Sequence, residues 1–306
     1  MNIVLSGSHG LIGSALASVL AGRGHRVIRL VRGRPASSPQ EIGWDPAAGT
    51  IDGRALEGAE AVIHLAGASV AKGRWTAARK ALIRESRVGS TRLLARTLAR
   101  LTRRPRVLIC ASAVGYYGHR GDEILVEESV PGQGFLAEVC QEWEAAAEAA
   151  RQAGIRVVHL RTGLVLAPAG GALATMLPVF RLGLGGRFGS GRQWMSWITL
   201  DDEVDAIAHA LNRDTLQGPV NLVSPQPVTN REFTSTLARI LRRPAVFAVP
   251  GAALRVVIGE AAGELLGSQR AHPARLLGGG YTFRYPELDA GLRHLLAAGS
   301  APSASA

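Results

Sequence analysis

VLSGSHGLIGSALASVL, residues 4–20, continues an apolar run from Ile3 through Val4 and Leu5 into Gly7, Gly10 and Gly13. After the glycines, Leu11, Ile12, Ala15, Leu16, Val19 and Leu20 recur at the spacing of a helix with one buried face. The order is strand, tight turn, helix. The first amides of such a helix lack backbone partners and face outward with the positive end of the helix dipole, so the junction suits a pyrophosphate. Gly7 allows the turn, Gly10 lets the backbone approach phosphates, and Gly13 lets helix and strand pack closely. The spacing is G-x-x-G-x-x-G, and glycine spacing alone is weak, since a Gly-rich turn of another α/β protein reads the same way. Its place between a strand and a helix, with a second strand over residues 25–31, favours a dinucleotide site.

At the end of that second strand, an NAD-binding fold often sets an acid on the ribose hydroxyls, and this chain has Arg32 there with Arg34 close behind. A guanidinium grips the 2′-phosphate of NADP bidentately, whereas an aspartate repels it. NADP(H) is therefore expected over NAD(H). The plainer alternative is a solvated arginine in an arginine-rich chain.

A chain of 306 residues, 47% hydrophobic and with five tryptophans, can bury a substantial core. No apolar stretch reaches membrane-spanning length, and the chain runs directly into its first strand without a signal-peptide pattern, so a cytoplasmic location and no membrane are expected. Cys110 and Cys140 form neither a metal-ligand spacing nor a disulfide framework, which fits a reducing compartment and no metal. The net charge of +11 comes almost wholly from arginine, since Lys72 and Lys80 are the only lysines, and these charges are scattered rather than blocked. No nucleic-acid partner is expected, and the oligomeric state is left between monomer and homodimer.

Strand and helix signals alternate through the first half, as a parallel sheet with crossover helices requires. Buried strands are expected at AEAVIHLAG, ending at Gly67, at RPRVLICASAVGYYG and at IRVVHLRTGLVLAP. A long helix is expected over residues 76–103, another from Phe135 to Gly154, and a later one in LDDEVDAIAHAL capped by an Asp. The fold class read from this pattern is α/β: a Rossmann-type doubly wound parallel sheet with a smaller C-terminal α/β substrate domain. Residues 1–167 form the NADP(H)-binding part, its sheet completed by later segments; 168–296 form the substrate domain, and 297–306 a disordered tail.

VLSGSHGLIGSAL, VIHLAG, the strand-end serine of ICASAVGYYG, LRTGLVLAP and WITLDDEVDAIAHAL together resemble an extended, atypical short-chain dehydrogenase/reductase. IGWDP, FLAEVCQEWEAAA, GSGRQWMSWITLDD and HPARLLGGGYTFRYPELDAGLRHLL narrow the resemblance to a YfcH-like branch, the NAD-dependent epimerase/dehydratase family proteins that end in a domain of unknown function. The resemblance covers nearly the whole chain. It implies a pyrophosphate turn at Gly7, Gly10, Leu11, Ile12 and Gly13, an adenosine-side strand end at Leu65, Ala66 and Gly67, and a nicotinamide-side strand at Thr162 and Gly163. It also implies that Ser112 hydrogen-bonds the reacting oxygen of a substrate; the alternative is a strand cap.

The departure lies in the acid/base pair. Active relatives use Tyr-x-x-x-Lys on the helix after the serine strand, and here Phe135 or Leu136 stands near the tyrosine position and Val139 or Cys140 near the lysine position. Tyr116, Tyr117 and His119 follow Ser112 closely, and a phenol or imidazole can serve as general acid. Tyr116 and Tyr117 are the candidates, with pocket walls as the alternative role. Glu138 reads as an exposed helix acid and Cys140 as core. Arg192 and Trp194, beside Gln193 and Trp197 in a Gly-rich loop, could hold an anionic or planar substrate, or the tryptophans could fasten the two lobes. The expected activity is NADP(H)-dependent oxidoreduction or epimerisation at a carbonyl or hydroxyl carbon of a small molecule. Family membership suggests nucleotide sugars. The alternative is a noncatalytic NADP(H) sensor.

Overall fold

The computed structural model describes residues 1–33, 37–71 and 73–298. Arg34 and residues 299–306 of the expected tail lie outside the described residues; Ala297 and Ala298 end a helix, Leu288–Ala298. β1 (Asn2–Ser6) occupies the middle of an eight-stranded sheet, and α1 (Leu11–Gly22) returns the chain to β2 (Arg26–Arg32) beside it. β3 (Glu41–Asp45) pairs parallel with β2, and β4 (Thr50–Ile51) closes that edge antiparallel. β5 (Ala61–His64) pairs with the other side of β1, and β6 (Val107–Ala113) and the strands Arg156–Thr162 and Gly218–Leu222 continue outward, all parallel. Strand order therefore reverses between β1 and β5, where a crevice opens beyond the carboxyl ends.

The central strands are apolar on both faces because helices cover both. Ile3, Leu5, Ile63 and Ile109 pack with Leu16 and Leu20 of α1 and with Ile207 and Leu211 of the helix Leu200–Asn212. Val4, Val62 and Leu108 face Leu94 and Leu98 of α2 (Ala77–Ala99) on the other side. Each such buried aliphatic side chain contributes roughly 1.5 to 3 kcal/mol to folding.

Three boundaries differ from expectation for local reasons. The long helix runs only to Ala99, and Thr76 is its cap, accepting a hydrogen bond from the Arg79 amide at 3.2 Å. The helix beginning at Phe135 breaks into α3 (Phe135–Ala145) and Glu148–Gln152, and Ala147 and Ala150 join the core on the α2 side of the sheet. The later helix is capped by Thr199 rather than by an Asp. Asp202 is wholly buried and accepts from Tyr281, the Arg284 amide and the Tyr285 amide, so it fastens the C-terminal segment to the helix Leu200–Asn212.

Beyond Pro168 the chain builds a second core from Leu173, Leu177 and Phe180, Phe233 and Leu237, and Leu288, Leu292 and Leu295. The helix Leu200–Asn212 and the strand Gly218–Leu222 interrupt this lobe and return to the large sheet. No helix among the described residues is long and apolar enough to cross a membrane.

Candidate functional site

β1 and β5 touch where the strand order reverses. A β-carbon on Gly7 would stand 2.8 Å from the Leu65 carbonyl carbon, and one on Gly13 would stand 2.1 Å from the Gly7 oxygen; Gly7 also has φ +72°. These two glycines serve the fold. Gly10 differs: a β-carbon there meets only the Gly7 oxygen, at 3.3 Å. It is the N-cap of α1, and no side chain caps that helix. The turn is left with outward-facing amide donors and the positive end of a 12-residue helix.

Gly7 and Gly10 bound one end of a cleft of about 550 Å³, with Leu65, Ala66 and Gly67 along one side and Arg32 at the far end. Leu11 and Ile12 open α1 but send their side chains elsewhere: Leu11 packs toward Gly170, and Ile12 against the core. The cleft also holds Trp44 and Pro46 from IGWDP, and Ser86 and Ser90 from α2. Sequence reasoning did not assign these four to the site; the one available signal was that IGWDP sets an indole on the strand beside β2. Beneath the cleft, His64 is held between Ser6 (2.6 Å) and Ser90 (3.1 Å), with Trp44 edge-on at 5.7 Å. Burial pushes its imidazole down to about 4, so the floor is uncharged at neutral pH.

The residues at the end of β6 have other partners. Ser112 is 4% exposed, and its hydroxyl donates to Glu144 at 2.8 Å. Glu144 receives both ends of the Arg161 guanidinium, at 2.8 and 2.9 Å. Arg161 also donates to the Tyr117 hydroxyl (3.1 Å) and lies 3.4 Å from the ring centre of Tyr116. The Tyr117 hydroxyl donates to Asn221 at 2.7 Å, and the Asn221 amide donates to Glu127 at 3.0 Å. Burial pushes the Tyr117 phenol up to about 12. Burial works against the charge of Arg161, but the bonded Glu144 carboxylate outweighs it and holds the guanidinium above its ordinary pKa.

Ser112, Tyr116 and Tyr117 thus meet as members of one polar network. For Tyr117 this corrects the sequence expectation: a phenol with no exposed surface and a committed proton is poorly placed to act as general acid. Ser112 bonds the Glu144 side chain, and no backbone group among the described residues, so it does not act as a strand cap. Tyr116 remains half-buried. His119 accepts from the Ser268 amide at 2.9 Å.

Leu136 and Phe135 open α3 half-buried, while Val139 and Cys140 are buried on it. Burial pushes the Cys140 thiol up to about 12. Glu138 is exposed and pairs with Arg84. Thr162 donates to Glu203 at 2.9 Å, and Gly163 lets the Ser196 carbonyl approach to 2.4 Å from where a β-carbon would stand; neither is among the residues lining the cleft. Trp194 is a fastener: its indole donates to Asp122 at 2.7 Å, its amide donates to Ser268, and Arg270 lies over its ring at 4.2 Å. Trp197 is fully buried, and Arg192 is exposed. No group of three or more His, Cys, Asp and Glu among the described residues could hold a metal ion.

Residues 3–222 match the family model described as NAD dependent epimerase/dehydratase family, and residues 249–295 match a domain of unknown function, DUF1731. An epimerase family protein of Mycobacterium bovis, Mb2239, is 46% identical over 284 residues, covering 92% of this chain and 93% of its own length. The crystal structure of human epimerase family protein SDR39U1 (isoform 2) with NADPH superposes with a TM-score of 0.87 at 33% identity, over 97% of this chain and 99% of that one. A nucleoside-diphosphate sugar epimerase from Corynebacterium glutamicum gives 0.78 at 40% identity; the match takes in 97% of this chain but 58% of that one.

Proposed function

We propose that this chain, which belongs to the NAD dependent epimerase/dehydratase family, binds NADPH in the cleft between β1 and β5 and reduces a small carbonyl compound. One observation carries the reading: a single cleft joins the uncapped N-terminus of α1 to Arg32. The residues fit the cofactor's chemistry. Gly10 leaves room for a pyrophosphate against backbone amides, and Arg32 offers a planar fork to a 2′-phosphate. The human relative crystallised with NADPH supports the same choice.

When bound, NADPH supplies a hydride. What this chain supplies is position, because Phe135 or Leu136 stands for the usual tyrosine and Val139 or Cys140 for the lysine, and burial keeps the Cys140 thiol neutral. Tyr116 is the nearest half-buried phenol to the end of β6, and we assign the proton to it or to water. Both cysteines are free and buried, which fits a cytoplasmic setting.

A second reading, an NADPH-occupancy sensor without turnover, is favoured by the commitment of Ser112 and Tyr117 to internal partners. Stopped-flow oxidation of NADPH with a panel of carbonyl compounds, including nucleotide sugars and small quinones, separates the two. Turnover of any member supports the reductase. Tight NADPH binding with none supports the sensor, and failure to bind NADPH overturns both.

A further inference from the structure

Arg79 and Arg87 stand about two turns apart on α2, and both reach the loop that follows β5. Arg87 donates to the carbonyls of Ala68 (2.9 Å) and Ile83 (3.1 Å), and Arg79 donates to the carbonyl of Ser69. The Nε of Arg79 is buried without a hydrogen-bond partner. Among the described residues, no carboxylate pairs with either arginine. The acids on α3 are taken: Glu138 and Glu142 by Arg84, at 3.5 and 3.4 Å, and Glu144 by Arg161 at 2.8 Å. Cys140 lies close enough to feel the charge of Arg87, but burial keeps its thiol neutral and it supplies no counter-charge. Desolvation, with Arg79 adding repulsion, pulls the Arg87 guanidinium below its ordinary pKa.

The location is specific. The guanidinium carbon of Arg87 is 3.4 Å from where a β-carbon on Gly67 would stand, and Gly67 lines the dinucleotide cleft. It also lies 5.1 Å from the ring centre of Trp143 and close to Cys140, whose thiol neighbours Ser112, so the guanidinium stands between the ends of β5 and β6. The same loop sets Trp75 edge-on to Phe135 at 5.2 Å. Two partly desolvated cations without a counter-charge cost folding free energy, and an incoming anion relieves that cost. A guanidinium fork matches a carboxylate in two parallel hydrogen bonds.

We propose that Arg79 and Arg87 form an anion subsite at the Gly67 side of the cleft, and that it takes the carboxylate of an organic substrate. The proposal deepens the NADPH-reductase reading and rests on it. It gives that reading a substrate class: carbonyl compounds that carry a carboxylate.

Benzoate titrated calorimetrically into NADPH-saturated protein tests it, with benzamide as the neutral isostere. Benzoate should bind at least tenfold more tightly than benzamide. Arg87→Met and Arg79→Met should each remove at least tenfold of the benzoate affinity while changing NADPH affinity less than threefold, and Arg87→Lys should restore part of it. If Arg87→Met does not fold, Arg79→Met, nearer the start of the helix, decides alone. Equal binding of benzoate and benzamide overturns the subsite, and tighter binding of inorganic phosphate than of benzoate overturns the carboxylate assignment. A tenfold loss of NADPH affinity in the variants with benzoate binding intact assigns the arginines to a cofactor phosphate and also overturns it. Failure of the wild-type protein to bind NADPH would instead refute the functional reading, and benzoate titrated into the free protein would then still decide whether the anion subsite exists.

Discussion

The cleft between β1 and β5 and the network behind β6 are both built at carboxyl ends of parallel strands, yet they use polar groups in opposite ways. In the cleft, α1 begins at a glycine with no side-chain cap, and Arg32 is exposed at the far end. Behind β6, the Ser112 hydroxyl, the Arg161 guanidinium and the Tyr117 hydroxyl are each bonded to a named partner. Donors left open are available to a ligand, and donors already paired hold the fold. Residue type alone does not distinguish the two, because a serine and a tyrosine at a strand end suit either use.

The sharpest way to break this comparison is to cut the closed network. Arg161→Met would leave the Glu144 carboxylate, 13% exposed, without its ion pair and the Tyr117 hydroxyl without one partner. Removing one member of a buried pair costs about 3 to 5 kcal/mol. Urea denaturation should show a loss of that size, and a loss under about 1 kcal/mol would mean the network is not structural.

The complementary cut is Gly10→Val, which should leave the protein folded and weaken binding. The added side chain points into space bounded only by the Gly7 oxygen and fills the approach to the amides. NADPH affinity should fall by roughly a hundredfold or more, about 2.7 kcal/mol. Gly13→Ala serves as the contrast, because its β-carbon would stand 2.1 Å from the Gly7 oxygen and should damage folding itself. Normal NADPH binding by folded Gly10→Val protein would move the pyrophosphate elsewhere.

Arg32→Asp tests the other end of the cleft. A charge-assisted contact contributes about 1.5 to 3 kcal/mol, so preference for NADPH over NADH should fall tenfold to a hundredfold or reverse. Arg32 is exposed, and stability should move little. Equal affinity of the unaltered protein for both cofactors would remove the basis for this assignment.

The open region was legible in the sequence because its parts are local. Strand, glycines and helix follow one another within twenty residues, and the spacing fixes the turn. Arg32 is legible the same way, at the end of the next strand, and alternation marks a parallel sheet without fixing the order of its strands. Trp44 and Pro46 escaped because β3 reaches the cleft only through sheet pairing. The closed region is hidden from the sequence for a related reason. Ser112 meets Glu144 across 32 positions, and Tyr117 meets Asn221 across 104. No local pattern shows that a hydroxyl already has a partner so far along the chain. The role of Asp202 is hidden for the same cause, since its partners Tyr281, Arg284 and Tyr285 come some eighty residues later.

Glu203 sharpens the comparison with the smallest effect. It has no exposed surface; one carboxyl oxygen accepts from Thr162 at 2.9 Å, and the other is buried without a partner. Burial pushes this carboxyl up to about 8, against about 4.3 for an unfolded glutamate. Between those values the folded chain holds a proton that the unfolded chain has released. The contribution is therefore fully present below about pH 4 and is lost as pH rises through about 8. Near the folded pKa the loss is about 1 kcal/mol between pH 7 and pH 8. Glu203→Gln keeps the shape and the acceptor for Thr162 but cannot ionise, so its urea midpoint should fall less over that interval than that of the unaltered protein. Comparing the two proteins at each pH cancels every other titrating group. Parallel pH profiles would mean that Glu203 is charged beneath Thr162 in the folded state, and the closed side of the molecule would then bring a negative charge to the end of the strand.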